Sequence, residues 1–168
     1  MNLYNKSRCI AEGLVSKGNK FFFATPCGVL APLLNCLEKT ESVITYIPRE
    51  DNAIAIACGV FTKGERAIVF MQNSGFAQSI NVLASLVIPY CIPIQLIISM
   101  RGTGVDNTLE NKVMGNITEK LLRDLSIDYR IIQKDSFEDD IQWMHENSLL
   151  NKKATALLIT PDFFDWSK

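Results

Sequence analysis

The chain lacks charge over one long stretch: positions 72–100 hold no Asp, Glu, Lys or Arg. Such a run invites a transmembrane reading. Against it, Gln72, Asn73, Ser74, Gln78, Ser79, Asn81 and Gln95 interrupt the stretch, and Pro89 and Pro93 divide it. A helix over about 75–87 and a buried strand over about 92–99 account for it instead. Histidine is also scarce, with His145 alone. A serine nucleophile at a strand-to-helix elbow needs G-x-S-x-G and a histidine. Ser74 has Gln72 two positions before it, and His145 belongs to a distant helix, which argues against a Ser-His-Asp hydrolase. No C-x-x-C pair occurs among Cys9, Cys27, Cys36, Cys58 and Cys91, and the count is odd, so free buried thiols in a reducing compartment are expected. Neither sign of charge is in excess, with 17 basic and 18 acidic residues, so nucleic acid and anionic membrane have no electrostatic case as partners. The chain has no G-x-x-x-x-G-K-[ST] loop and no G-x-G-x-x-G fingerprint, so phosphate binding by this chain alone is unsupported. Met1-Asn2-Leu3-Tyr4-Asn5-Lys6 lacks the apolar core of a signal peptide, and a cytoplasmic location is expected.

What is present is an ordinary globular composition, 48% hydrophobic and 21% charged. Its length fits one domain, residues 1–168, with a layered core. Apolar runs predict strands at 21–24, 42–46, 66–71, 92–100, 129–132 and 154–160. Helical spacing predicts helices at 2–17, 29–38, 76–87, 109–125 and 137–149, and one that opens at Glu50 and is closed by Lys63-Gly64. Strands alternating with helices argue an α/β fold: a three-layer, doubly wound, mostly parallel six-stranded sheet.

Ligands of such sheets sit outside the carboxyl ends of the strands. The turns there are 25–28, 47–51, 72–75, 101–106 and 161–162. One of them opens an unusual helix. Glu50 stands in its first turn, just past an apolar run read as a buried strand, and Ala53 to Val60 follow without a charge. A helix apolar all round is expected to be buried, which would place Glu50 at the mouth of a dry region. As a helix cap alone, that carboxylate would gain only about 0.3–1 kcal/mol from the helix dipole.

Glu50, small Ala55, apolar Ile56, Gly59 and Val60 are spaced in a way that resembles the pyrimidine-domain motif of thiamine diphosphate enzymes, with Ala55 where that family usually has glycine. Met71-Gln72-Asn73-Ser74-Gly75 and Ile92-Pro93-Ile94-Gln95-Leu96-Ile97-Ile98-Ser99-Met100-Arg101-Gly102 follow at matching distances. From about Phe21 to Trp166 the chain is similar to the phosphonopyruvate and sulfopyruvate decarboxylases. The resemblance implies that Glu50 is catalytic: it hydrogen-bonds N1′ of the cofactor's aminopyrimidine and so activates thiamine diphosphate to attack a small 2-oxo acid, which then loses carbon dioxide. It also implies Pro26, Gln72 and Asn73 beside the cofactor, and Cys27, Gly28, Gln72, Asn73, Ser74 and Arg101 facing the substrate.

The residues themselves leave alternatives. Gln72 and Asn73 are neutral hydrogen-bonding groups for a ligand, or caps of the turn. Cys27 is a thiol with a lowered pKa at a helix start, or a small packing residue. Arg101 holds a substrate anion bidentately, or makes a structural ion pair; Arg49 is a second anion-binding candidate. In the loop after Arg101 the phosphonopyruvate type usually carries Lys-Asp-Glu-Pro-Gln-His, where this chain reads Asp106-Asn107-Thr108-Leu109-Glu110-Asn111. The resemblance therefore does not select the 2-oxo acid.

Thiamine diphosphate also requires a diphosphate and metal site, in that family a Gly-Asp-Gly motif followed by Asn-Asn, and neither occurs here. The chain then looks like the α subunit of a split decarboxylase. A separate diphosphate-binding β subunit would bring Mg²⁺ and form a heterodimer, an α2β2 or a larger assembly. The Glu50 helix and the uncharged 75–87 segment are the surfaces it would cover. Three other readings are a non-catalytic assembly or regulatory subunit, a carboligase using the same cofactor, and a free-standing anion-binding α/β domain.

Overall fold

Residues 67–71 and 96–98 are apolar without a break, the pattern of strands covered on both faces. In the computed structural model, which describes residues 3–166, they lie in β3 (Ala67–Gln72) and β4 (Gln95–Ser99). With β1 (Phe21–Ala24), β2 (Val43–Tyr46), β5 (Asp128–Ile131) and β6 (Thr155–Ile159) they build one six-stranded sheet, ordered β2-β1-β3-β4-β6-β5. All its pairings are parallel, where the sequence pattern indicated mostly parallel ones. Pro93 delays the start of β4 from the expected position 92, since a proline cannot donate to the ladder.

Parallel strands need right-handed crossovers, and reversing the order about β1 puts helices on both faces. On one face α1 (Leu3–Ser16), α2 (Ala31–Leu37) and α7 (Phe137–Asn151) pack on Phe22, Phe70, Ile97 and Leu157. On the other, α3 (Glu50–Thr62), α4 (Asn73–Gln78), α5 (Ile80–Val82) and α6 (Leu109–Asp124) cover Phe23, Val69, Leu96 and Leu158. Alternate residues of each strand thus serve opposite cores. Gly18 and Gly64, at φ +80° and +78°, close α1 and α3 as their positions in the sequence suggest. The start expected at Asn2 lies outside the described residues.

Four expectations are corrected. β2 is an edge strand rather than a buried one, and Val43 is 52% exposed; an apolar β-branched run reads alike at an edge and in a centre. The Glu50 helix buries only Ala53, Ile54, Ala57 and Cys58, while Ile56 and Phe61 remain 43% and 40% exposed. The single helix expected over 76–87 is three pieces: α4, α5 and a π-helical turn, Leu83–Val87. Ser79 ends α4, its hydroxyl donating to the Gly75 carbonyl at 2.8 Å, and the Ile88 amide reaches back five residues to Leu83 at 3.0 Å. Cys91 is exposed, so not every thiol is buried.

Phe70 is fully buried, its ring 6.0 Å from that of Phe22. Phe70→Ala should cost about 3–5 kcal/mol in urea unfolding, because the layer above it cannot collapse into the space left.

Candidate active site

The strand order changes direction between β1 and β3, and a crevice at such a point is where these sheets bind ligands. The turn after β1 is tied to β3 there, the Thr25 amide donating to the Phe70 carbonyl at 3.2 Å. Register sets Gln72 of β3 beside Ser99 of β4, at the carboxyl edge of the sheet. α3 leaves edge strand β2, packs across β1 and β3, and meets α4. Its first residue, Glu50, thereby lies against the first turn of α4.

Glu50 is half-buried. Its side chain runs over the Cα of Gly75, so that a methyl group on Gly75 would overlap Glu50 Cγ, Cδ and Oε1. Among the described residues the Glu50 carboxylate makes no hydrogen bond and no ion pair. Its neighbour Asp51 differs: Arg49 grips it bidentately, Nε to Oδ1 at 3.1 Å and Nη2 to Oδ2 at 2.8 Å, which lowers the Asp51 pKa. Arg49, the lesser anion candidate, is engaged in that exposed pair. The water-poor surroundings expected for Glu50 are not found: it is only half-buried, and among the described residues nothing covers Ala55, Ile56 and Gly59 on the outer side of α3.

The turn opening α4 divides its roles. Gln72 is half-exposed and donates through Nε2 to Ser74 Oγ at 2.9 Å. Asn73, expected to face a ligand, is instead fully buried. Its Nδ2 donates to the Arg101 carbonyl at 2.9 Å and to Thr118 Oγ1 at 3.2 Å, bracing the turn to the loop after β4 and to α6. The side chain of an asparagine at the end of a strand looks the same in sequence whether it faces outward or inward. Ser74 is exposed, and His145 lies on α7, on the opposite face of the sheet, so these two do not meet as nucleophile and base.

Pro26 and Gly28 are exposed and Cys27 is buried at the helix-side end of β1. Cys27 Sγ is 3.1 Å from Ser99 Oγ, a hydroxyl partner that sequence reasoning missed. Pro26, Cys27 and Gly28 line a 450 Å³ cleft that also includes Asn35, Glu38 and Tyr46. Tyr46 donates to Glu38 at 2.5 Å, and partial burial followed by that carboxylate pushes its pKa up to about 12. Gly28 faces the Trp166 indole nitrogen.

Arg101 takes the structural alternative at one end. Its Nε donates to Asp106 Oδ2 at 2.5 Å, and its guanidinium lies 4.6 Å from the Trp166 ring centre. The terminal nitrogens carry no hydrogen bond among the described residues. Asp106, whose side chain is wholly buried, also accepts from the Gly102 amide at 2.9 Å and from the Thr108 hydroxyl at 2.6 Å and amide at 3.2 Å. Burial alone would raise its pKa; Arg101 and these donors outweigh it and hold the carboxyl well below the usual carboxylate range. Asp106 thus fixes Arg101 within this chain. No sequence pattern announced that pairing.

No family model matches the chain. The sulfopyruvate decarboxylase α subunit of Methanothermobacter thermautotrophicus is 31% identical over 163 residues, covering 95% of this chain and 98% of that protein. The α subunit of the same name from Methanococcus maripaludis is 36% identical over 127 residues, 74% of this chain and 75% of that one. Among solved structures, the thiamine diphosphate-dependent 4-hydroxybenzoylformate decarboxylase of Rhodococcus jostii superposes with a TM-score of 0.77 at 17% identity, over 99% of this chain and 31% of its own. At that identity the likeness is one of fold. No described helix is long and apolar enough to cross a membrane.

Because Asp106 titrates at a lower pH in the folded chain than in the unfolded one, its stabilisation is complete above the ordinary carboxylate range near 3.9 and is lost as pH falls through its folded value. Asp106→Asn should cost about 3–5 kcal/mol at pH 7, because it leaves the poorly exposed Arg101 cation without its counter-ion. Unfolding free energies measured from pH 7 down to pH 2 should fall less steeply in the variant than in the wild type.

Proposed function

The chain belongs to the family of sulfopyruvate decarboxylase α subunits, and from that premise we propose that it is the pyrimidine-binding half of a two-chain thiamine diphosphate-dependent decarboxylase. Its substrate is a small 2-oxo acid with an acidic head group. The observation that carries the reading is Glu50: a half-buried carboxylate at the carboxyl edge of a parallel sheet, with no hydrogen bond or ion pair of its own among the described residues. Buried and partly buried carboxylates are normally paired, so one kept free beside bare backbone suits an external donor.

When bound, thiamine diphosphate supplies the nucleophilic carbon and accepts the electron pair released as carbon dioxide leaves. Glu50 holds a proton at N1′ of the aminopyrimidine, and α3 fixes the height of its carboxylate above the sheet. Gln72 and Pro26, in the turns after β3 and β1, would lie beside the cofactor, and Asn73 braces the turn that carries Gln72. Cys27, Gly28 and Ser74 would face the substrate. Arg101, with its plane set by Asp106 and Trp166, offers its two terminal nitrogens to the acidic head group.

A partner chain completes the site. It brings Mg²⁺ and the diphosphate cradle, whose Gly-Asp-Gly and Asn-Asn motifs this sequence does not contain. The outer face of α3, with Ala55, Ile56 and Gly59 exposed and uncharged, supports such a partner, as do the exposed Phe61 at the end of α3 and Ile88 and Tyr90 beyond the π-helical turn. Closing that face also excludes water from Glu50.

Co-production with a diphosphate-binding partner and assay of carbon dioxide release from a panel of 2-oxo acids tests the reading. Glu50→Gln should lower kcat by about 10²–10⁴ with the fold intact, the range for a positioned acid–base group; near-normal turnover by this variant removes the assignment. Ile56→Glu should leave the isolated chain folded and abolish co-purification with the partner, as read by size-exclusion chromatography.

A further inference from the structure

Glycine is a poor helix former, and Gly75 is the third residue of α4. Its backbone is not in the left-handed region, so conformation alone does not demand glycine there. Space does. A methyl group at this position would occupy the volume now filled by Glu50 Cγ, Cδ and Oε1. We infer that Gly75 is a positioning residue: its missing side chain is the seat on which the Glu50 carboxylate rests, and it sets how far that group reaches over the sheet edge. The inference rests on the role proposed above for Glu50.

Two other glycines show what a purely structural requirement looks like. A methyl group on Gly102, at φ +77°, would strike the Asn111 main chain, and one on Gly115 would strike the carbonyl of Gly102. Those obstacles are backbone and cannot move without the loop. At Gly75 the obstacle is the end of a flexible side chain that starts at a half-exposed helix terminus. The cheap response to Gly75→Ala is therefore for Glu50 to swing out, which keeps the fold and loses the geometry. A packing glycine would show the reverse, with stability lost and geometry kept.

The test combines turnover with a structural readout. In the assembled enzyme Gly75→Ala should lower kcat by about 10²-fold, the scale of an ångström-sized misplacement, while the thermal midpoint of the chain stays within a few degrees of wild type. Added to Glu50→Gln, it should cause no further loss. In ¹³C-carboxyl NMR of the full chain labelled at glutamate, the Glu50 resonance, assigned by its disappearance in Glu50→Gln, should move in Gly75→Ala. Wild-type turnover by Gly75→Ala beside an inactive Glu50→Gln overturns the inference, as does an additive loss in the double variant. Full turnover by Glu50→Gln removes the catalytic role instead, and an unmoved resonance removes the contact itself.

Discussion

A carboxylate at a helix start gains from the dipole and ordinarily also takes a hydrogen-bond donor or a cation. Glu50 has the first and, among the described residues, lacks the second. Its neighbour Asp51 has both, through Arg49. The contrast arises from direction. Asp51 turns toward the exposed arginine that precedes the helix, whereas Glu50 turns inward over Gly75. That inward turn is imposed by topology: the crossover from β2 to β3 must pass β1, so α3 packs against α4 and its first residue arrives where the sheet changes direction.

The ground beneath Glu50 is rigid for a different reason. Asn73 and Asp106 are both buried and both hydrogen-bonded to loop backbone, Asn73 to the Arg101 carbonyl and Asp106 to the amides of Gly102 and Thr108. Asn73 ties the turn after β3 to the loop after β4, and Asp106 holds that loop together. Arg101 is held between the Asp106 carboxylate and the Trp166 ring, with its terminal nitrogens unpaired among the described residues. A charged group fixed in this way loses little freedom when it binds an anion, and preorganisation of that kind is a large part of affinity.

In the proposed assembly a second chain completes the site. Ile56, Phe61, Ile88 and Tyr90 leave α3 and the π-helical turn with an uncharged, apolar exterior. Glu50, at the end of the same helix, keeps partial access to solvent. In the proposed assembly, covering the outer side of α3 would both join the two chains and dry the carboxylate.

Much of this was legible in the sequence. Strand positions followed from apolar runs, because strands covered on both faces carry hydrophobic residues throughout. The placement of Glu50 in the first turn of α3 followed from Pro48, the acidic pair and the uncharged run behind them. The resemblance to a decarboxylase family was carried by spacing along the chain, and the relatives bear it out. What sequence could not express was direction and neighbourhood. It did not show that β2 is an edge, that Asn73 points inward, that Asp106 answers Arg101, or that Gly75 is bare because Glu50 lies on it. Periodicity reports which residues share a face of their own element; which element then covers that face depends on strand order and crossover, and those are settled only when the whole chain packs.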